Sequence, residues 1–310
     1  MSATETTRTR LVMAGAFVGA LVLLSLSMVF SWPVAVGGAA SSAADDAARA
    51  FDSPSGTCLD WPAENPRAMK PLDCKQPHVF EVTGNVEIAV DYPANAPPPD
   101  EKKWQDIATE KCTPGVADYV GGRLDPFGKY TVSALKPTDD QWRAGDRKLR
   151  CGLHRVTQLG TRLRTTGSAH GQDQSNIFEV GTCLALNDKL IGDPIDCGRA
   201  HAVEIVGNAD LSVAFPADFP ASDAQNAKLA EVCGQLVGSY TGGTDLAAKK
   251  LTLSWDTLQE QSWAAGSRKV DCKVGAPLED GSGLAPVTNS VRGDSLPQSP
   301  NSPPPSTPGG

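Results

Sequence analysis

Gly56-Thr57-Cys58-Leu59 recurs as Gly181-Thr182-Cys183-Leu184, and Trp142-Arg143-Ala144-Gly145-Asp146-Arg147-Lys148 recurs as Trp263-Ala264-Ala265-Gly266-Ser267-Arg268-Lys269. Between these ends, Cys58, Cys74, Cys112 and Cys151 match Cys183, Cys197, Cys233 and Cys272 in order. His78-Val79-Phe80-Glu81 likewise matches His201-Ala202-Val203-Glu204. A period of about a hundred residues lies well above the ~20–50 of solenoid repeats, so a whole small domain is duplicated. A chain of 310 residues has room for both copies and for flanking segments.

All eight cysteines belong to the two copies, four in each. That pattern reads as a disulfide framework formed in an oxidising compartment. Structural zinc sites bring cysteines in close pairs such as Cys-x2-Cys, and no two cysteines here lie so near. Four cysteines allow three pairings, and the sequence leaves all three open. We expect the sequential one: Cys58–Cys74 with Cys112–Cys151, and Cys183–Cys197 with Cys233–Cys272. Loops of these sizes contribute ~3–4 kcal/mol each in the chain-entropy model, which matters for small cores.

Residues 11–31 are apolar or small and follow Arg8 and Arg10. Twenty helical residues at ~1.5 Å each span the ~30 Å hydrocarbon core of a bilayer. With the arginines on its near side, the segment reads as a single transmembrane anchor with residues 1–10 cytoplasmic and the repeats outside. A cleaved signal peptide, giving a secreted protein, is the alternative, though the run exceeds the usual apolar length of such peptides. Both readings export the cysteines.

The formal charge of −8 excludes a phosphate-binding footprint, so no nucleic-acid partner is expected. After the anchor, 32–50 reads as a tether, 51–160 as the first repeat and 161–176 as a flexible linker. The second repeat occupies 177–277, and the Pro-, Ser- and Gly-rich 278–310 reads as a disordered tail. Each repeat is expected to be strand, strand, helix, strand, strand. Ser222-Asp223-Ala224-Gln225 has capping-box spacing ahead of Leu229, Val232, Cys233, Leu236 and Tyr240 at helical intervals. In the first copy Pro114 is expected to interrupt or kink the helix. The fold class is therefore α+β, a duplicated small domain, each copy an antiparallel sheet with one helix, disulfide-stapled, after one N-terminal transmembrane helix.

Candidate chemistry is sparse. His78 with Glu81, and His201 with Glu204, stand three residues apart; on a regular strand they point to opposite faces and do not converge on a metal or a proton. Trp142 with Arg147, and Trp263 with Arg268, read as buried anchors beside a glycine turn, or else as exposed platforms for a sugar ring or peptide. No nucleophile elbow, zinc-protease motif, phosphate loop or Cys-x-x-Cys pair is present, so no catalytic, cofactor or metal residue is assigned.

Taken together, the Gly-Thr-Cys-Leu start, the Cys-x-x-x-His-x-x-Glu-Val segment (Glu-Ile in the second copy) and the Trp-x-Ala-Gly-x-Arg ending resemble the septum formation-related domain of actinobacterial envelope proteins. The whole chain looks like a mycobacterial-type septum formation family membrane protein. That resemblance implies a connection with division-site or cell-wall processes, but no reaction and no catalytic residues. The expected function is an extracytoplasmic binding or scaffold module, held to the cell membrane by one helix, with envelope or division proteins or wall polymer as partners. An envelope enzyme, such as a metal-dependent hydrolase using His78 or His201, is the alternative.

Overall fold

The computed structural model describes residues 48–292. The expected anchor at 11–31, most of the tether and residues 293–310 lie outside the described residues. Among the described residues no helix is long and apolar enough to cross a membrane.

The duplication is a duplication of sheets. The first sheet contains β1 (Cys58–Asp60), β2 (Lys70–Leu72), β3 (Phe80–Glu87), β4 (Thr131–Leu135), β5 (Lys148–Val156) and β6 (Arg162–Leu163). The second contains β7 (Cys183–Asn187), β8 (Leu190–Ile195), β9 (His201–Asp210), β10 (Thr252–Ser254), β11 (Lys269–Pro277) and β12 (Leu284–Ala285). The orders are β2-β1-β3-β5-β4 and β8-β7-β9-β11-β10, with β6 on β5 and β12 on β11. All pairings are antiparallel. Each sheet therefore has six strands where the sequence suggested four per repeat; β2, β6 and β12 carry too few residues to show a two-residue period, and in β8 Gly192 and Pro194 obscure it.

One long helix covers a face of each sheet: α1 (Glu101–Tyr119) in the first copy and α3 (Ser222–Thr241) in the second. Helix α1 starts where the Asp100 carboxylate accepts the Lys103 backbone N–H at 2.8 Å, and it buries Trp104, Ile107, Ala108, Cys112 and Val116. It does not break at Pro114. That residue lies on the solvent side, where the Glu110 carbonyl it leaves without an N–H partner can be hydrated. Helix α3 begins one residue earlier than the capping-box reading places it. Ala221 is the N-cap, with no side-chain cap. Gln225 instead turns inward, donating to the Pro220 and Leu258 carbonyls and accepting from Leu258 N–H. Gly207 lets α3 approach β9; a Cβ there would lie 2.8 Å from the Leu236 side chain.

The pairing is sequential. Cys58–Cys74 and Cys183–Cys197 close the entry of each sheet, while Cys112–Cys151 and Cys233–Cys272 fasten α1 to β5 and α3 to β11.

Two segments correct the compositional reading. The expected linker at 161–176 carries β6, and Thr165 then exchanges backbone hydrogen bonds with His78 at 2.8 and 2.9 Å. Residues 278–292 of the expected disordered tail carry β12, and Val287 makes the same exchange with His201, at 2.9 Å each way. These are two copies of one strap, Thr165-Thr166-Gly167-Ser168-Ala169-His170 and Val287-Thr288-Asn289-Ser290-Val291-Arg292. Gly167 and Asn289 both hold a positive φ, 85° and 65°, the turn that glycine and asparagine tolerate best. Polar composition here serves a specific bonding task, so it misleads as a sign of disorder.

Candidate functional site

The task of the strap is to close over a buried carboxylate. Glu81, 2% exposed, sits on β3 opposite Cys58. Its Oε1 accepts the Tyr119 hydroxyl at 2.6 Å and the Ser168 hydroxyl; its Oε2 accepts the Ala169 N–H at 2.6 Å. Glu204, 1% exposed and opposite Cys183, repeats this with Tyr240 at 2.6 Å, Ser290 at 2.6 Å and Val291 N–H at 2.7 Å. Strand, helix and strap thus meet on one carboxylate, and an ionised carboxylate taking several donors is the form in which such a group tolerates burial. Burial, reinforced by the bond to Glu81, pushes the Tyr119 hydroxyl up to about 12, and the same causes raise Tyr240.

The histidines lie beneath the same straps, His78 at 1% and His201 at 0% exposure. Each Nδ1 is 2.9 Å from a carbonyl, that of Gln76 or Arg199. A carbonyl only accepts, so Nδ1 is the donor, and in the neutral ring this tautomer leaves the lone pair on Nε2. In the first copy Nε2 is 3.2 Å from the Thr165 hydroxyl. In the second copy valine replaces that threonine, and His201 Nε2 has no partner among the described residues.

In the second copy the expected divergence of His and Glu also fails. Donor atoms of His201, Glu204 and Cys183 all lie within 4.8 Å of one another. Pairing of β7 with β9 shifts register between Leu184 and Ala185, so that Val203 faces Leu184 while His201 faces Ala185. The bulge takes up one residue and returns positions three apart to one side. The corresponding group in the first copy is Cys58, Cys74 and Glu81, without His78.

The tryptophans are buried, Trp142 at 3% and Trp263 at 5%. Each lies in a short helix, α2 (Asp139–Arg143) or α4 (Glu260–Ala264), ahead of Gly145 or Gly266 at φ 94° and 93°. Arg147 stacks 3.6 Å from the Trp142 ring centroid and donates to five carbonyls, among them Tyr92, Pro93 and Ala94. Arg268 stacks 3.9 Å from Trp263 and donates to the Trp263 and Ser267 carbonyls. Trp142 further donates to the Ala96 carbonyl at 2.8 Å and meets Trp104 edge-on at 5.3 Å. With arginine on one face and core around it, neither ring offers a stacking surface.

What the sequence does not reveal is a junction between the copies. Asp125, 2% exposed, accepts the Ser262 and Ser267 hydroxyls of the second copy at 2.9 and 2.5 Å. Gln174 donates to the Arg123 and Ala265 carbonyls, and Ser175 Oγ accepts the Arg268 and Lys269 N–H groups at 3.0 and 2.9 Å. Asp271 accepts Phe178 N–H and Asn208 Nδ2, while Arg155 stacks on Phe178 at 4.5 Å. Beside this seam opens a cleft of about 290 Å³, lined by Phe127, Asn176, Asp256, Leu258, Lys269 and Asp271. Phe127 is 58% exposed. Burial raises the Asp271 carboxyl to about 7, against the opposing pull of its hydrogen bonds, Lys273 and Arg155. Asp125, Gln174, Ser175, Ser262 and Ser267, whose side chains make the crossing bonds, have no counterpart of the same type in the other copy, so a search by internal repetition passes over them.

The family model described as Septum formation matches residues 55–272, from just before β1 to the last cysteine. The chain belongs to the septum formation family. Two curated relatives from Mycobacterium tuberculosis, strains CDC 1551 / Oshkosh and ATCC 25618 / H37Rv, are described as uncharacterized membrane proteins. Each is 35% identical over 247 residues, covering 77% of this chain and 55% of the relative. This septum formation protein thus spans about half the length of the curated relatives it matches. No solved structure matches it.

Proposed function

We propose that this septum formation protein is a membrane-tethered, extracytoplasmic binding or scaffold module of the cell envelope, connected with septum or wall processes. Disulfides in both copies suit an exported location, and the relatives described as membrane proteins fit an anchor. The observation that carries the binding reading is where the polar chemistry goes. The repeated His, Glu, Trp and Arg residues are, His201 Nε2 excepted, spent on internal bonds, whereas the open polar and aromatic lining is in the cleft between the copies. A cleft that combines an exposed aromatic ring with a few convergent polar groups is a normal binding surface. The septum connection follows from the family description alone.

A photo-crosslinking residue placed at Phe127 in growing cells tests this reading. Adducts with envelope proteins or wall fragments, absent when the same group sits at the exposed Lys75 or Lys249, are the expected result. Equal labelling from all three positions would remove the cleft as the binding surface.

A further inference from the structure

We propose that Cys183, Cys197, His201 and Glu204 form a zinc site that becomes available when the Cys183–Cys197 disulfide is reduced. The inference stands on the geometry of the second copy and does not depend on the envelope-binding reading.

His201 carries the argument. Its ring is wholly buried, its Nδ1–H is fixed on the Arg199 carbonyl, and its Nε2 lone pair is unpartnered among the described residues. Histidines that bind metals are held in this way, with one nitrogen donating to a carbonyl and the other presented as ligand. Glu204 has donors on three of its roughly four lone-pair positions, which leaves one for a metal while Tyr240, Ser290 and Val291 continue to orient it. Cys183 Sγ lies within 4.8 Å of donor atoms of both, whereas Cys197 Sγ stands outside that group and is tied to it only through its bond to Cys183, so it must swing in as the fourth ligand once that bond opens. Two sulfurs, one imidazole nitrogen and one carboxylate oxygen make a four-coordinate set of zinc-binding types.

While the disulfide is intact its sulfurs are not thiolates and do not hold the ion. A dithiol reductant changes this: two electrons and two protons pass to the S–S bond, two thiols form, and the reductant becomes a disulfide. Zinc then binds as the two thiols release their protons. Access favours this bond over the helix-to-sheet pair Cys233–Cys272. Cys197 is half-buried, whereas Cys233 and Cys272 are fully buried.

The first copy supplies an internal control. Cys58 and Cys74 both group with Glu81, but Thr165 occupies His78 Nε2, and His78 does not join them. Exchange of one residue, Thr165 against Val287, separates a satisfied histidine from one with a free lone pair.

The experiment takes the purified full chain, oxidised and after mild dithiol reduction. It measures bound zinc by elemental analysis and maps alkylation of each cysteine with zinc present. One zinc per reduced chain, none in the oxidised chain, and protection of Cys183 and Cys197 but not of Cys58 and Cys74 are expected. Val287→Thr keeps every ligand and places a hydroxyl against Nε2; it should weaken zinc binding by about tenfold or more with the oxidised melting point unchanged. Cys183→Ser with Cys197→Ser should bind none. The proposal is overturned if the reduced chain takes up no zinc, if both cysteine pairs are protected alike, or if V287T binds as tightly as the parent.

Discussion

At the scale of single residues, the duplicated motifs differ in how much depends on them. Trp142 sits among Trp104, Tyr92 and Arg147 and has a short indole hydrogen bond, whereas the Trp263 indole is 3.4 Å from the Ala217 carbonyl and has Phe219 beside it. Truncating a buried aromatic costs ~3–5 kcal/mol through lost burial and the cavity left behind. W142A should fall at the upper end of that range and W263A at the lower, read as denaturant midpoints of an exported protein. Unchanged midpoints would mean that the rings are not anchors. Asp271 gives a pH signature. Its folded pKa is raised to about 7, chiefly by burial, so the folded state holds this proton more tightly than the unfolded chain does. The resulting stabilisation is complete below the ordinary carboxylate range and is lost as pH rises through about 7. Arg155, Lys273 and Asn208 face this group, and Asp271→Asn should flatten the fall in melting temperature between pH 5 and 8. A parent protein whose melting temperature rises across that window would contradict the sign.

At the scale of elements, the straps matter most. Strap residues Ser290 and Val291 give Glu204 two of its three donors, so a chain ending at Pro277 leaves a buried carboxylate short of them. An unmet buried charge costs more than the ~1–3 kcal/mol of a neutral group. A second copy comprising 177–277 should therefore be markedly less stable than one comprising 177–292, and Ser290→Ala in the longer form should cost ~1–3 kcal/mol. Chemical denaturation of the three proteins measures this; equal midpoints would show that the strap is dispensable. The long elements were legible from sequence because α1, α3, β3 and β9 are long enough for apolar periodicity to accumulate, and the disulfide staples because cysteines recur in register. The straps were not, because their contacts are side-chain oxygens and backbone N–H groups bonded to one distant glutamate, which composition cannot distinguish from solvated loop. The six-residue recurrence at 165–170 and 287–292 was the available signal. Pro114 shows the opposite limit: a strong local signal is outweighed when α1 is fixed by buried side chains and by Cys112. Pro114→Gln, copying Gln235 of the second helix, should restore the missing backbone bond and stabilise the protein by about 1–3 kcal/mol, seen as a raised denaturant midpoint.

At the scale of the whole molecule, the two copies are joined by contacts of a different kind from those that hold each together. Each copy has its own helix, sheet and disulfides; the seam adds a buried carboxylate, an amide and a serine that cross from one copy to the other. Asp125 is the centre of it, because removing it strands two buried serine hydroxyls while leaving both apolar cores intact. Asp125→Ala should therefore uncouple the copies more than it unfolds either. The two helices and sheets should keep their amide chemical shifts, and the changes should concentrate at 123–128, 174–178 and 262–271. In NMR relaxation the parent copies should share one rotational correlation time, while in D125A each copy should tumble faster and separately. The cleft beside Phe127 is formed by both copies, so the same variant should reduce crosslinking from Phe127 in cells without loss of the folded protein. If D125A keeps a single correlation time and full crosslinking, the seam is held by Gln174, Ser175 and the Arg155–Phe178 stack, and Asp125 is only a local cap for the serines.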